Sequence, residues 1–280
     1  MLTASQFTYA SPDDAFWRRA TIHCIELATG KRRLRRLYED YCRGPAVDDF
    51  FAEAVTRLGL EVKVSGGGLA SGLENIPQQG PLVVVANHPY GVVDGLVLGY
   101  LISRVRPDFR IIVNSVLYRL PEIRHHFLPI DFSETREALR TNLESRRAAL
   151  DDLAQGRCIA IFPGGTVSTA QSPLGRATDP EWKPFLARLI HESRATVVPI
   201  YFDGQNSRLF QWASLVSMTL RLSLLFREVV NKMGRETRAH VGAPIAYDRL
   251  PPLSDRRLLV EHLRQATYAL RRPKLEKRRV

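Results

Sequence analysis

The chain has 280 residues, 45% hydrophobic and 25% charged, a balance that excludes a disordered or fibrous polymer and supplies enough apolar material for a real core. Forty Lys and Arg outnumber 29 Asp and Glu, giving a net charge of +11, so one face is expected to meet something anionic: nucleic acid, an acidic membrane surface or a phosphorylated substrate. The three cysteines, Cys24, Cys42 and Cys158, are odd in number and lack CxxC spacing, which argues against a disulfide framework or a zinc site and points to a reducing cytoplasm.

The first residues show no apolar run behind a basic flank and include Asp13 and Asp14, so they do not read as a signal peptide. Phe16, Ala20, Cys24, Leu27 and Ala28 fall on one helical face. A dense basic run follows at Lys31–Arg36, and Phe50, Phe51, Ala54, Val55 and Leu58 mark another helix, ended by Gly59 and the Gly66-Gly67-Gly68 stretch. Residues 1–65 are therefore expected to form a helical N-terminal segment.

From Pro81 the pattern changes to short apolar runs alternating with helical periods, the signature of strands joined by crossover helices. The runs are Leu82–Ala86, Arg110–Val113, Cys158–Phe162, Thr196–Phe202 and a weaker one ending at His240–Val241. Between the second and third, Leu139, Leu143, Leu150 and Leu153 predict a helix with Ser133 as N-cap. Pro199 inside the fourth run predicts an edge strand or a bulge. Trp212–Phe226 is read first as a core helix and alternatively as an interfacial segment flanked by Arg208, Arg221 and Arg227. No stretch approaches the ~18 uninterrupted apolar residues of a spanning helix. The expected fold is α/β: a mostly parallel central sheet flanked by helices over residues 66–270, then a basic tail at 271–280. Ligands in such folds gather at the carboxyl ends of the strands.

Two of those ends carry chemistry. After the first run comes Asn87-His88-Pro89-Tyr90-Gly91-Val92-Val93-Asp94-Gly95. A histidine where a buried strand emerges, with a carboxylate six residues later across a Gly-containing turn, suits a base and its orienting partner: the carboxylate takes the Nδ1 proton and leaves Nε2 as acceptor. A structural, hydrogen-bonded histidine is the plain alternative. The third run ends in Phe162-Pro163-Gly164-Gly165-Thr166, where glycines free backbone N–H groups to approach an oxyanion. It is not a phosphate-binding P-loop, because no Gly-Lys-Ser/Thr follows.

Taken in order, His88/Asp94, Phe162–Thr166 and the Val198-Pro199-Ile200 strand resemble the glycerolipid acyltransferase superfamily over about Pro81 to Phe210. The form Asn-His-Pro-x-Gly-x-x-Asp-Gly and the sequence Gln205–Phe210 look like its hemolysin-like, ornithine-lipid-type branch. The resemblance implies an O-acyltransferase with His88 as base and Asp94 as its partner. It implies substrate contacts at Asn87, Gly91, Phe162, Pro163, Gly164, Gly165, Thr166 and Pro199, an acyl-CoA or acyl carrier protein thioester as co-substrate, no other cofactor and no metal. The implied acceptor is a lysolipid. A non-catalytic lipid- or acyl-binding member of the same fold is the alternative.

Three departures from the family pattern stand out. Five residues rather than four separate His88 from Asp94. Gly164 replaces the family's Glu. The second family block matches His126–Phe132 but lacks its terminal arginine, which in the family holds the acceptor phosphate.

The adjacent His125 and His126 have no ligand-spaced partner and, on opposite sides of a strand, would not share a metal. With 34 Arg and 6 Lys, the densest basic groups lie outside the Pro81–Phe210 segment. They are expected to dock on anionic lipid or an acidic acyl carrier, on the cytoplasmic face of a membrane. No helix-turn-helix or RNA-binding signature supports nucleic acid.

Overall fold

In the computed structural model, residues 15–28, 30–44, 49–66, 72–114, 121–131, 133, 135–251 and 255–271 are described. Asp13, Asp14, Gly67, Gly68 and the basic tail after Arg271 lie outside them. Seven strands, β1 (Glu61–Ser65), β2 (Leu82–Ala86), β3 (Phe109–Asn114), β4 (Phe127–Ile130), β5 (Cys158–Ile161), β6 (Thr196–Asp203) and β7 (Glu236–Val241), form one sheet. Their order is β1-β7-β6-β2-β5-β3-β4. Every pairing is parallel except β6 with β7, so the expected mostly parallel α/β sheet is present.

Three helices precede the main body, α1 (Phe16–Ala28), α2 (Lys31–Arg43) and α3 (Phe50–Arg57), followed by α4 (Val92–Ser103) and α5 (Arg136–Ala154). Then come α6 (Phe185–Ser193), α7 (Arg208–Val216), α8 (Met218–Ser223), α9 (Leu225–Lys232) and α10 (Arg256–Ala269). The two-residue period of β2 builds two cores. Leu82, Val84 and Ala86 pack with Phe51 of α3 and Val97 and Leu101 of α4. Val83 and Val85 pack with Leu153 of α5, Leu186 and Leu189 of α6 and Leu263 of α10. Each fully buried valine contributes about 1.5–3 kcal/mol.

Several expectations change here. The five expected strands are joined by β1 and β4, the two edges. β1 lies wholly within the stretch read as a helical segment, its alternation Glu61-Val62-Lys63-Val64 being too short to outweigh the helical periods before it, and β4 carries Pro129, which only an edge tolerates readily. Pro199, by contrast, lies in an interior strand rather than at an edge. Its carbonyl accepts from Gly242 N–H at 2.8 Å on the β7 side, and the β7 ladder stops at Ile200–Val241, so the missing N–H falls where no ladder bond is needed. Helix α5 is capped by Thr135, whose hydroxyl accepts from Ala138 N–H at 3.1 Å, not by Ser133. Its buried face is Ala138, Ser145, Ala149 and Leu153, while Leu139 and Leu143 are 60% and 55% exposed.

Trp212–Phe226 is no single core helix. An extended Ser217 (φ −158°) breaks it between α7 and α8, and Trp212, Val216 and Met218 are exposed. His125 and His126 end a 3-10 turn, Pro121–His126, so their rings meet at 4.1 Å instead of pointing apart. His126 Nδ1 is engaged with Phe109 O at 3.0 Å.

Candidate active site

The carboxyl ends of β2, β3, β4 and β5 surround a cavity of about 170 Å³, with His88 in its wall. His88 leaves β2 held on both sides of its backbone. Its N–H donates to Asp179 Oδ1 at 3.0 Å, and its carbonyl accepts from Ser168 N–H at 2.8 Å. The imidazole stacks on Phe162, centroids 4.0 Å apart and 25° between planes. Asp94, the third residue of α4 and wholly buried, turns its carboxylate back over the helix start. Oδ2 accepts the N–H groups of Tyr90 at 2.7 Å and Gly91 at 3.0 Å, capping the helix with a charge that the helix N-terminus favours.

His88 Nδ1 lies 3.1 Å from that same Oδ2. Nδ1 is close to Oδ2 without completing a well-aligned hydrogen bond, and Asp94 Oδ1 has no hydrogen-bond partner among the described residues. Burial pushes the Asp94 carboxyl above the ordinary carboxylate range, opposed by His88 and by the Tyr90 and Gly91 amides. A carboxylate so poorly solvated gains most from a positive partner beside it, which is the imidazolium that a general base becomes. Among the described residues, no group of three His, Cys, Asp or Glu side chains is placed to hold a metal ion.

The acyltransferase family model matches residues 16–275, nearly the whole chain. This protein belongs to the acyltransferase family. Two curated relatives, both lyso-glycine lipid O-acyltransferases, come from Phocaeicola vulgatus (31% identical over 166 residues) and Bacteroides thetaiotaomicron (30% over 164). Each match covers 58% of this chain and 54% or 55% of the relative, so the chain spans about half the length of the curated relatives it matches. Among solved structures, the 1-acyl-sn-glycerophosphate acyltransferase PlsC of Thermotoga maritima aligns with TM-score 0.48 and 18% identity, over 94% of this chain and 83% of that one.

Two of the three departures from the family pattern find their physical reason in the site. The additional residue between His88 and Asp94 is absorbed at Gly91, whose φ of +82° disfavours any side chain; a Cβ there would also meet Val167 at 3.1 Å and Leu225 at 3.3 Å. At position 164 there is little room for the family's Glu. A Cβ would meet Asp179 Cβ and Pro180 Cδ, each at 3.3 Å. A carboxylate reaches this spot from the other side, on Asp179.

Asp179 is the residue that sequence reasoning missed. Nearly buried, it gathers the His88 N–H, the Ser168 hydroxyl and the Trp182 indole N–H (2.9 Å), while its own N–H donates to Tyr268 of α10 at 2.8 Å. Its principal partner lies 91 positions away, and no linear pattern reports such a pairing.

The remaining expected site residues divide. Gly91, Phe162, Pro163 and Gly165 line the His88 cavity. Asn87 does not. Its amide clips the end of β2 to β6, donating to Phe202 O at 2.9 Å and accepting from Phe202 N–H at 2.6 Å. Gly164 faces Asp179, Thr166 is exposed, and Pro199 packs beneath Gly242 and away from the cavity wall. Gly165 donates its N–H to Phe162 O at 2.9 Å within the turn, so that amide is already committed and is not offered to an oxyanion.

Proposed function

We propose that this family member moves a fatty acyl group from a thioester, acyl-CoA or acyl carrier protein, to the hydroxyl of a lysolipid acceptor, with His88 as general base. The observation that carries the reading is the His88–Asp94 pair in the wall of a cavity otherwise rich in apolar side chains. With Nδ1 turned toward Asp94, Nε2 takes the proton of the acceptor hydroxyl as its oxygen attacks the thioester carbonyl carbon. The tetrahedral intermediate collapses with cleavage of the C–S bond, and the imidazolium returns the proton to the departing thiolate, leaving an ester and a free thiol. Asp94 stabilises the imidazolium between these steps. The relatives' names support a lysolipid acceptor of the lyso-glycine lipid kind.

The same reading includes peripheral contact with an anionic membrane on its cytoplasmic face. Trp212, Val216 (78% exposed) and Met218 present apolar surface on α7 and α8, next to Phe16 and Trp17 of α1, which packs against α8. No helix among the described residues is long and apolar enough to cross a membrane. Such a surface carries a lipid-facing contact when basic side chains flank it.

The test is thioester consumption by purified protein with acyl-CoA and acyl carrier protein donors across a lysolipid panel. His88→Ala is expected to lower turnover by about 10²–10⁴-fold with an unchanged circular dichroism spectrum. Near wild-type turnover in that variant ends the proposal, and no consumption by the wild type in any combination favours a non-catalytic acyl-binding role.

A further inference from the structure

The third departure, the missing family arginine, leaves open how this cavity would hold an acidic substrate. We propose that Arg146 of α5 and Lys183, just before α6, form an anion-holding subsite of the His88 cavity for a carboxylate or phosphate carried by a substrate. The proposal rests on the acyl-transfer reading and adds the chemistry of the group that the site holds.

Four observations converge. The residue that ends the matching block, Phe132, brings no charge and lies outside the described residues, and Asp131 before it is committed to its own turn. Asp131 Oδ1 accepts from the N–H (2.9 Å) and hydroxyl (2.8 Å) of Ser133, and its main chain is bridged in both directions by Asn142 at 2.8 and 2.7 Å. Next, among the described residues the ionisable side chains lining the cavity are His88, Arg146 and Lys183, with no Asp or Glu among them. Two cations on one small cavity without a lining carboxylate leave a positive potential that an anion relieves.

Third, neither cation has a carboxylate within ion-pair distance among the described residues, although their helical neighbours do: Arg140 pairs with Glu144 on α5, and Arg188 with Glu192 on α6. Fourth, both are anchored toward the site. The Arg146 guanidinium lies 5.0 Å over the ring of Phe185, itself a cavity residue, and such a platform holds a guanidinium without using its forked N–H donors. The Lys183 N–H donates to Pro163 O at 2.9 Å, tying its backbone to the turn that carries Phe162, the stacking partner of His88. Ile112, Ile130 and Phe185 supply the apolar wall alongside. A lipid with an acidic group fits this combination.

The experiment measures Arg146→Gln, Lys183→Gln and the double variant in the full chain, with thermal melts to show that these exposed positions leave the fold intact. Equilibrium binding is read with lysophosphatidate (phosphate), N-palmitoylglycine (carboxylate) and monopalmitoylglycerol (neutral). Donor KM is read with palmitoyl-CoA and palmitoyl-pantetheine. The double variant is expected to bind both acidic lipids about 10- to 100-fold more weakly, as loss of charge-assisted hydrogen bonds implies, with less than about a twofold change for the neutral lipid.

A loss confined instead to palmitoyl-CoA over palmitoyl-pantetheine also supports the subsite and assigns its anion to the donor. Unchanged affinity for every probe overturns the subsite. Binding is read without turnover, so a wild type that binds acidic lipid but transfers nothing refutes the acyl-transfer reading and leaves the subsite standing.

Discussion

At the amino ends of the central strands, Arg106 is only 2% exposed, yet its donors are in use. It forks onto both carboxylate oxygens of Asp108 at 2.8 and 2.7 Å and reaches the carbonyls of Pro77, Gly80 and Gly156. At the carboxyl ends, Arg146 and Lys183 line a cavity with no such partners among the described residues, beside a histidine whose Nδ1 lacks an aligned bond. The two ends share one sheet and one type of cation. At the amino end Arg106 has its donors satisfied and acts as a rivet for the loops entering β2, β3 and β5. The other keeps unmet hydrogen-bonding capacity, and that is what a site for polar chemistry has to offer.

Substitutions at the two ends should therefore separate activity from stability. The largest effect is expected at the carboxyl end, where Asp94→Asn removes the charge that stabilises the imidazolium while keeping the helix cap's shape. Turnover should fall by about 10³–10⁴-fold with an unaltered spectrum, as steady-state kinetics would show. Retained activity would mean that the pair is structural.

At the amino end, Arg106→Met should cost at least about 3 kcal/mol, because it leaves three carbonyls and a carboxylate without their donor. Urea denaturation measures this, and turnover per folded molecule should not change. The cost also depends on pH. The Arg106 hydrogen bond holds the Asp108 carboxyl below its ordinary value of 3.8, so the pair's contribution is fully present above that value and lost as pH falls through the lowered one. The difference between wild type and variant should narrow from pH 7 to pH 3. A constant difference would show that Asp108 has no part in it.

A smaller effect is expected from Asp179→Asn. The amide offers only one oxygen, so the Trp182 indole N–H faces an NH₂ group, at about 1–3 kcal/mol. Trp182→Phe removes the opposed donor, so the double substitution should cost less than the sum of the singles in a double-mutant cycle; strict additivity would contradict the arrangement. Smallest is the behaviour of Cys158 on β5, whose thiol burial pushes up to about 12. At pH 8 a maleimide should label the exposed Cys24 and Cys42 and spare Cys158 in the native protein, as intact mass would reveal.

Legibility from sequence followed burial and locality. β2, β5 and β6 were readable because strands buried on both faces must be continuous apolar runs. The His88–Asp94 pair was readable because six positions and a glycine turn close it locally. Helix α5 was found from its leucines, of which Leu150 and Leu153 pack into the core, while its first turns bury Ala138 and leave Leu139 and Leu143 to solvent. Asp179 was invisible, since a carboxylate beside a proline has no signature until distant N–H groups converge on it.

By itself, the sequence determined the α/β sheet, the placing of His88 beside Asp94 at the carboxyl end of a strand, and the family resemblance. Each depends on residue type at short separation, and hydrophobic period and turn geometry record that directly. Only the tertiary structure decided that Gly164 yields its space to Asp179, that Asn87 serves the sheet rather than the cavity, and that the apolar surface of α7 and α8 is exposed. It also decided which of the basic side chains behind the +11 charge are paired within the fold. A count of arginines cannot distinguish Arg106 from Arg146, because what separates them is whether the fold brings acceptors to the guanidinium, and those acceptors come from distant parts of the chain.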